Sequence, residues 1–158
     1  MHMENLRESW KSKLARLAFN IFPAYRRTGA RVVFISHDWK RVRVKLPLNI
    51  WTRNAVGTLF GGSMFAAVDP VYMVMFMRLL GKAYVVWDKS AEIAFLKPGR
   101  TTLYAEFSIE DAELEYIRRE LESAHSLDRV YRISLCDHDH VEHAVVNKTL
   151  YFRKNRER

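Results

Sequence analysis

Apolar positions recur at helical spacing in three stretches of this 158-residue chain and alternate with polar ones in several others. Over residues 4–22, Leu6, Trp10, Leu14, Leu17, Ile21 and Phe22 fall on one side and Arg7, Lys11, Lys13 and Arg16 elsewhere, with Pro23 closing the run. The pattern predicts an amphipathic helix, either packed on the domain by its apolar side or lying on a membrane surface as a basic interfacial helix. Two strands follow at Arg31–Ser36 and Arg41–Leu46; in the second, Val42, Val44 and Leu46 alternate with Arg41, Arg43 and Lys45. Residues 37–40 supply the turn between them, and Pro47–Phe60, without steady periodicity, reads as a loop.

From Gly61 to Leu80 the spacing is helical but apolar on nearly every side, which marks a helix buried all round. Pro70 removes a donor and predicts a kink, and Gly81 ends the helix. Further strands are predicted at Ala83–Val86, Ala91–Leu96 and Thr102–Ile109, with Lys97-Pro98-Gly99-Arg100 as a strong turn. Glu110–Ser126 reads as a surface helix with Leu114, Ile117 and Leu121 inward. Two last strands, Arg129–Cys136 and Ala144–Phe152, precede a charged tail, Arg153–Arg158, expected to fray. About six antiparallel strands can bury one all-round apolar helix only by curling around it. The expected architecture is thus a single α+β domain, a curved sheet wrapped on a central helix, with the N-terminal helix added.

Composition narrows the class. At 49% hydrophobic and 13% aromatic the chain is no disordered segment. Its lone cysteine, Cys136, sits in an apolar strand and reads as a packed, inert thiol in a reducing compartment. No secretory signal is evident among the charges of the first 13 residues, and Asp69-Pro70 interrupts the apolar stretch that follows, so a soluble, cytoplasmic protein is expected. A formal charge of +8 makes polyanions plausible partners: coenzyme A and other phosphorylated molecules, an anionic membrane, or nucleic acid. Nucleic acid ranks last, because the basic residues are spread rather than set in a recognition module.

The candidate chemistry centres on Asp69, the one charged residue between Asn54 and Met77. A carboxylate inside an apolar helix is costly unless paired, hydrogen-bonded or used. Gly61-Gly62 opens the same helix and leaves bare N–H groups facing whatever sits there. Roughly 10 Å of helical rise separates the two, too far for one carbonyl to span within a subunit. Donors from one chain and acid from another would resolve this. A structural reading of Asp69, bonded to Tyr72, Ser63 or a loop amide, is the alternative.

The run Asn54-Ala55-Val56-Gly57-Thr58-Leu59-Phe60-Gly61-Gly62-Ser63, then Asp69, then a strand ending Phe95-Leu96-Lys97-Pro98-Gly99, resembles hotdog-fold acyl-CoA thioesterases. Tyr25–Gly29, Asp69-Pro70 and Trp87-Asp88-Lys89 place it closest to a poorly characterised bacterial branch of that superfamily. The resemblance implies Asp69 as nucleophile or general base, Gly61 and Gly62 as oxyanion donors, and Asn54 as the side chain orienting thioester or water. It implies Thr58, Phe60 and Asp88 around the substrate, and a dimer or dimer of dimers with shared sites. Two departures stand out. Phe60 replaces a histidine common in active members, and Asp88 stands where a serine or threonine often holds water. A carboxylate at Asp88 would repel that of Asp69, or Lys89 would neutralise it.

Arg53, Lys97 and Arg100 flank these segments and are candidates for coenzyme A phosphates. His138, His140 and His143 with Asp137, Asp139 and Glu142 fit no standard metal spacing, and a polar hairpin turn explains them. No cofactor and no metal is expected. The sequence therefore predicts hydrolysis of acyl-CoA or a related thioester, with a non-catalytic acyl-thioester or fatty-acid binding protein as the alternative.

Overall fold

The computed structural model describes residues 7–155. Six strands, β1 (Arg31–Ile35), β2 (Arg41–Leu46), β3 (Tyr84–Phe95), β4 (Leu103–Ser108), β5 (Leu127–Cys136) and β6 (Glu142–Lys154), form one antiparallel sheet in the order β1-β2-β4-β5-β6-β3. The sheet wraps around the apolar helix, as its all-round hydrophobicity demands. That helix has the length and hydropathy of a membrane span, yet Met64, Ala67, Val68, Met75 and Phe76 are buried in the core. Phe76 meets Phe152 of β6 and Tyr131 of β5 with ring centroids 5.0 and 5.1 Å apart, and Tyr72 meets Phe107 of β4 at 5.0 Å.

The kink is a full break. Helices α3 (Gly61–Val68) and α4 (Val71–Leu80) are separated by Asp69-Pro70. Pro70 has no N–H to donate backward, so the ladder opens here. Tyr25 closes it from outside: its hydroxyl donates to the carbonyl of Ala67 over 3.0 Å. Tyr25 itself is held by a short turn. Thr28 Oγ1 donates to the Tyr25 carbonyl (2.8 Å) and accepts from the N–H of Ala30 (3.1 Å). Gly29 lies at φ +82°, and a Cβ there would come 2.2 Å from Thr52 Cγ2, so only glycine fits.

Several elements differ from expectation. Strands expected at Ala83–Val86 and Ala91–Leu96 are one strand, β3, carried through by a bulge between Asp88 and Ser90. The expected tail is partly strand, since Arg153 and Lys154 pair with Val85 and Tyr84; residues 156–158 lie outside the described residues. The last predicted helix ends at Ser123, because β5 begins at Leu127.

The N-terminal helix, α1 (Trp10–Ile21), is turned over relative to its apolar pattern. The side against β1 carries buried Ser12, Ala15, Phe19 and Asn20, and Ser12 donates to the Ser36 carbonyl. Asn20 bonds both the N–H and the C=O of Val32 at 2.8 Å, and Glu8 accepts from the N–H of Ile35. These bonds cap the outer edge of β1. Trp10, Leu14, Leu17, Ile21 and Phe22 face outward instead, each 56–71% exposed. Leu6 lies outside the described residues, and the helix expected from residue 4 begins only at Trp10, because Ser9 Oγ accepts from the N–H of Ser12 and caps it there.

Tyr25→Phe should lower unfolding free energy by about 1–2 kcal/mol, because the Ala67 carbonyl is left without its donor at a buried break. Urea denaturation reads it directly, and an unchanged midpoint would show that another group satisfies that carbonyl.

Candidate functional site

Asp69 closes α3, and its side chain remains 41% exposed. Behind it lies Lys148, 98% buried on the inner face of β6. Along β6 the inward positions are Val146, Lys148, Leu150 and Phe152, so the ammonium stands in an otherwise apolar row. Lys148 Nζ bonds Asp69 Oδ1 and lies 3.2 Å from Asp88 Oδ1. The second contact is electrostatic only, since Asp88 Oδ1 has no partner in hydrogen-bonding geometry. The β3 bulge sits beside Asp88, at the point where pairing with β6 shifts register. Burial pushes the Asp88 carboxyl above its ordinary range; Lys148 opposes this and the Asp69 charge adds to it.

Asp69 also borders an apolar cavity of about 530 Å³ between α1, the short helix α2 (Pro23–Arg26), and α3–α4. Phe19, Phe22, Tyr25, Ala66, Met73 and Val74 line it. Among its lining residues Asp69 is the sole charged one. A carboxylate fixed by a buried lysine therefore faces an oily recess.

The glycine-opened end of α3 forms a separate place. No side chain caps that terminus. The rings of Phe95 and Phe60 flank it instead: a Cβ on Gly61 would lie 2.8 Å from Phe95 Cζ, and one on Gly62 only 2.3 Å from Phe60 Cε1. Gly61, Asn54, Thr58, Met64, Phe95 and Lys97 border a depression of about 420 Å³. Asn54 is largely committed to its own loop. Its Oδ1 accepts from the N–H groups of Val56 and Thr58, and its Nδ2 donates to Thr58 Oγ1 at 2.9 Å. Arg53, Lys97 and Arg100 are exposed, and none forms an ion pair among the described residues. Within one chain, then, Asn54, Thr58, Phe60, Gly61, Gly62 and Lys97 gather at one place, and Asp69 with Asp88 at another.

Two expectations need correction. Lys89 does not neutralise Asp69; it pairs with Asp128 at 2.5 Å. The bulge that inserts one residue after Asp88 sends it elsewhere, and Lys148 takes the role. Nor is Asp69 bonded to Tyr72 or Ser63: the Tyr72 hydroxyl donates to the Ser108 carbonyl. Lys148 escaped sequence reading, although its signal was present. Strict alternation over Ala144–Phe152 puts it on the same face as Val146 and Leu150. His143 joins the Pro98 carbonyl and Asp137 at 3.0 Å each, tying the two hairpin ends together. Among the described residues no group of three or more His, Cys, Asp or Glu side chains is placed to hold a metal. Burial raises the thiol of half-buried Cys136.

The family described as Domain of unknown function (DUF4442) matches residues 11–152. The chain belongs to that family. Its fold is the hotdog fold, as the resemblance read from the sequence implied. PA5026 of Pseudomonas aeruginosa, described as a protein of unknown function and "Probable Thioesterase", superposes with a TM-score of 0.82 at 17% identity. That match covers 91% of this chain and 96% of the other. The thioesterase HI1161 of Haemophilus influenzae gives 0.68 at 12% identity over 97% and 99%. OLEI01261 of Chlorobaculum tepidum, of unknown function, gives 0.72 at 14% over 92% and 95%. No curated protein sequence matches the chain. The DUF4442 chain thus shares with these structures the wrapped helix and sheet that bring Asp69 opposite β6.

Lys148→Met leaves two carboxylates facing each other without a cation and should cost about 3–5 kcal/mol of stability at neutral pH. Asp88→Asn should act in the opposite direction. The fold favours the neutral form at this position, so the charged carboxyl weighs against folding above its raised pKa. Wild type should regain stability as pH falls from that value toward the ordinary 3.8. The thermal midpoint of Asp88→Asn should exceed wild type at pH 7, and the gap should close over that acidic window. A constant gap from pH 7 to pH 4 would contradict the assignment.

Proposed function

We propose that the protein hydrolyses acyl thioesters such as acyl-CoA, with Asp69 as the acid that attacks or activates water. The observation that carries this reading is the Asp69 carboxylate itself. It is anchored through Oδ1 to buried Lys148 and borders an apolar cavity large enough for an acyl group. Among solved structures with the same fold, HI1161 is described as a thioesterase and PA5026 as a probable one, which supports the reaction class.

In the proposed reaction the acyl chain lies in the cavity and the thioester carbon faces Asp69 Oδ2. Asp69 takes a proton from water as the water oxygen bonds that carbon, or bonds the carbon directly and is released by water afterwards. The C–S bond breaks, the thiolate leaves, and the acid product remains. The negative oxygen formed on the way needs donors, and the uncapped start of α3 supplies N–H groups with the positive end of the helix dipole. Since Gly61 and Asp69 border different recesses in one chain, the donors are proposed to come from the partner of a dimer. Among the described residues the 12-residue strand β3 is the unpaired edge of the sheet, whereas α1 covers the opposite edge, so β3 is the proposed line of pairing. The unpaired cations Arg53, Lys97 and Arg100 near the α3 end suit the phosphates of coenzyme A.

One observation favours a second reading, an acyl-thioester or fatty-acid binding protein without turnover. Phe60 and Phe95 crowd the glycines where a polar side chain would assist catalysis. Thiol release from acyl-CoAs of different length decides between them. Asp69→Asn should reduce turnover by roughly 10²–10⁴-fold with the fold retained. Gly61→Pro, made together with Phe95→Ala because a Cβ at position 61 meets the Phe95 ring, removes one N–H at the first helical position and should also be slow. Mixing the two inactive variants should restore about a quarter of wild-type activity, because half the dimers carry one intact composite site. No recovery would place acid and donor in the same chain. Tight binding of acyl-CoA with no thiol release from wild type would establish the second reading.

A further inference from the structure

Among the described residues nothing packs on the outward face of α1, and its composition specifies what it meets. Trp10, Leu14, Leu17 and Ile21 recur at steps of four, three and four residues and make one narrow apolar stripe, which Phe22 extends. Ser12, Ala15 and Phe19 occupy the opposite side, against β1. The helix is therefore anchored by one face and presents the other. Five large apolar side chains, each more than half exposed, form a patch of the kind that marks an interaction surface.

The rim of the stripe is cationic. Lys11 and Lys13 flank it on either side, and both are exposed. Arg26 and Arg27 are exposed just beyond its end. From Trp10 to Arg27 the chain holds five cations and no acidic residue. Glu8, just upstream, is paired with Arg16 at 2.8 Å.

We propose that α1 is an interfacial helix that docks the protein on an anionic lipid surface. Trp10, Leu14, Leu17, Ile21 and Phe22 would enter the headgroup–acyl boundary while Lys11, Lys13, Arg26 and Arg27 meet lipid phosphates. An apolar stripe bordered by lysines, with tryptophan at one end, is the amphipathic design that partitions into a bilayer surface. The formal charge of +8 draws the whole molecule toward such a surface. A second copy of the chain fits the stripe less well, because an isologous contact sets this cationic rim against itself. The recess lined by Phe22, Phe19 and Met73 also begins at the end of the stripe. Docking would thus open that recess toward lipid rather than water.

The test is cosedimentation of the full chain with phosphatidylcholine vesicles, with and without phosphatidylglycerol. Wild type should pellet with the anionic vesicles and be released by raised salt. Leu14→Glu/Leu17→Glu replaces two residues that are more than half exposed among the described residues, and should keep the thermal midpoint while losing vesicle affinity by at least about tenfold. Lys11→Gln/Lys13→Gln should weaken binding to anionic vesicles and leave the stripe intact. Wild type remaining in the supernatant with anionic vesicles would overturn the proposal, as would equal pelleting of Leu14→Glu/Leu17→Glu. Sedimentation velocity covers the other occupant: if the glutamate variant splits a wild-type oligomer that binds no vesicles, the stripe belongs to a second copy. None of the substituted residues belongs to the proposed catalytic set, so the outcome is independent of thioester turnover.

Discussion

An ammonium group on the inner face of a sheet is tolerable only if anions reach it from elsewhere in the fold, and Lys148 meets two. Asp69 comes from the break in the central helix and Asp88 from β3, so this one cation ties the helix, β3 and β6 together. The arrangement demands several things at once. Pro70 must open the helix so that Asp69 sits at its end, Tyr25 must cover the carbonyl left at the break, and β3 must bulge beside Asp88. Each is met by a residue whose reason is otherwise obscure.

The sheet edges follow a similar logic. A wrapped sheet that is not closed has two edges, and each needs an answer. At β1 the answer is side-chain chemistry from the N-terminal segment, with Asn20 standing in for a strand at Val32 and Glu8 accepting from Ile35. This use of polar residues on the inward face of α1 explains why its apolar residues point away from the body. The helix caps an edge rather than filling a core. Among the described residues β3 receives no such cover, and this is the ground for proposing it as the line of pairing with another chain.

How far the sequence was legible depends on whether a signal is local. The apolar run Gly61–Leu80 and the alternation in Arg41–Leu46 are local, and each element formed where its pattern placed it, whereas Lys97–Arg100, expected as a turn between neighbouring strands, instead carries the chain from edge strand β3 across to β4. Asp69 was legible as an isolated charge. Lys148 was not, because a lysine inside a strand is ordinarily solvated; only its parity with Val146 and Leu150 marks it, and its partners lie 60 and 79 positions upstream. The continuity of β3 was hidden by Asp88-Lys89-Ser90, three polar residues that read as a gap and in fact form a bulge. The facing of α1 was hidden for a different reason. An amphipathic pattern gives the axis of a helix and its two sides, but not which side meets the protein.

The same cation bears on chemistry and stability in opposite senses. A carboxylate bordering an apolar recess would swing away toward solvent if it stood alone. Held through Oδ1 by Lys148 at the border of the cavity, it is fixed in place as the proposed nucleophile or base requires. Against that, the site gathers two carboxylates around one buried ammonium, and the strain falls on Asp88, whose carboxyl burial drives toward the neutral form. A core built for stability alone would replace Lys148 and its two partners with well-packed apolar side chains. That the chain instead keeps a buried ammonium between two part-exposed carboxylates, at the break in its central helix, is what supports the proposed site at Asp69.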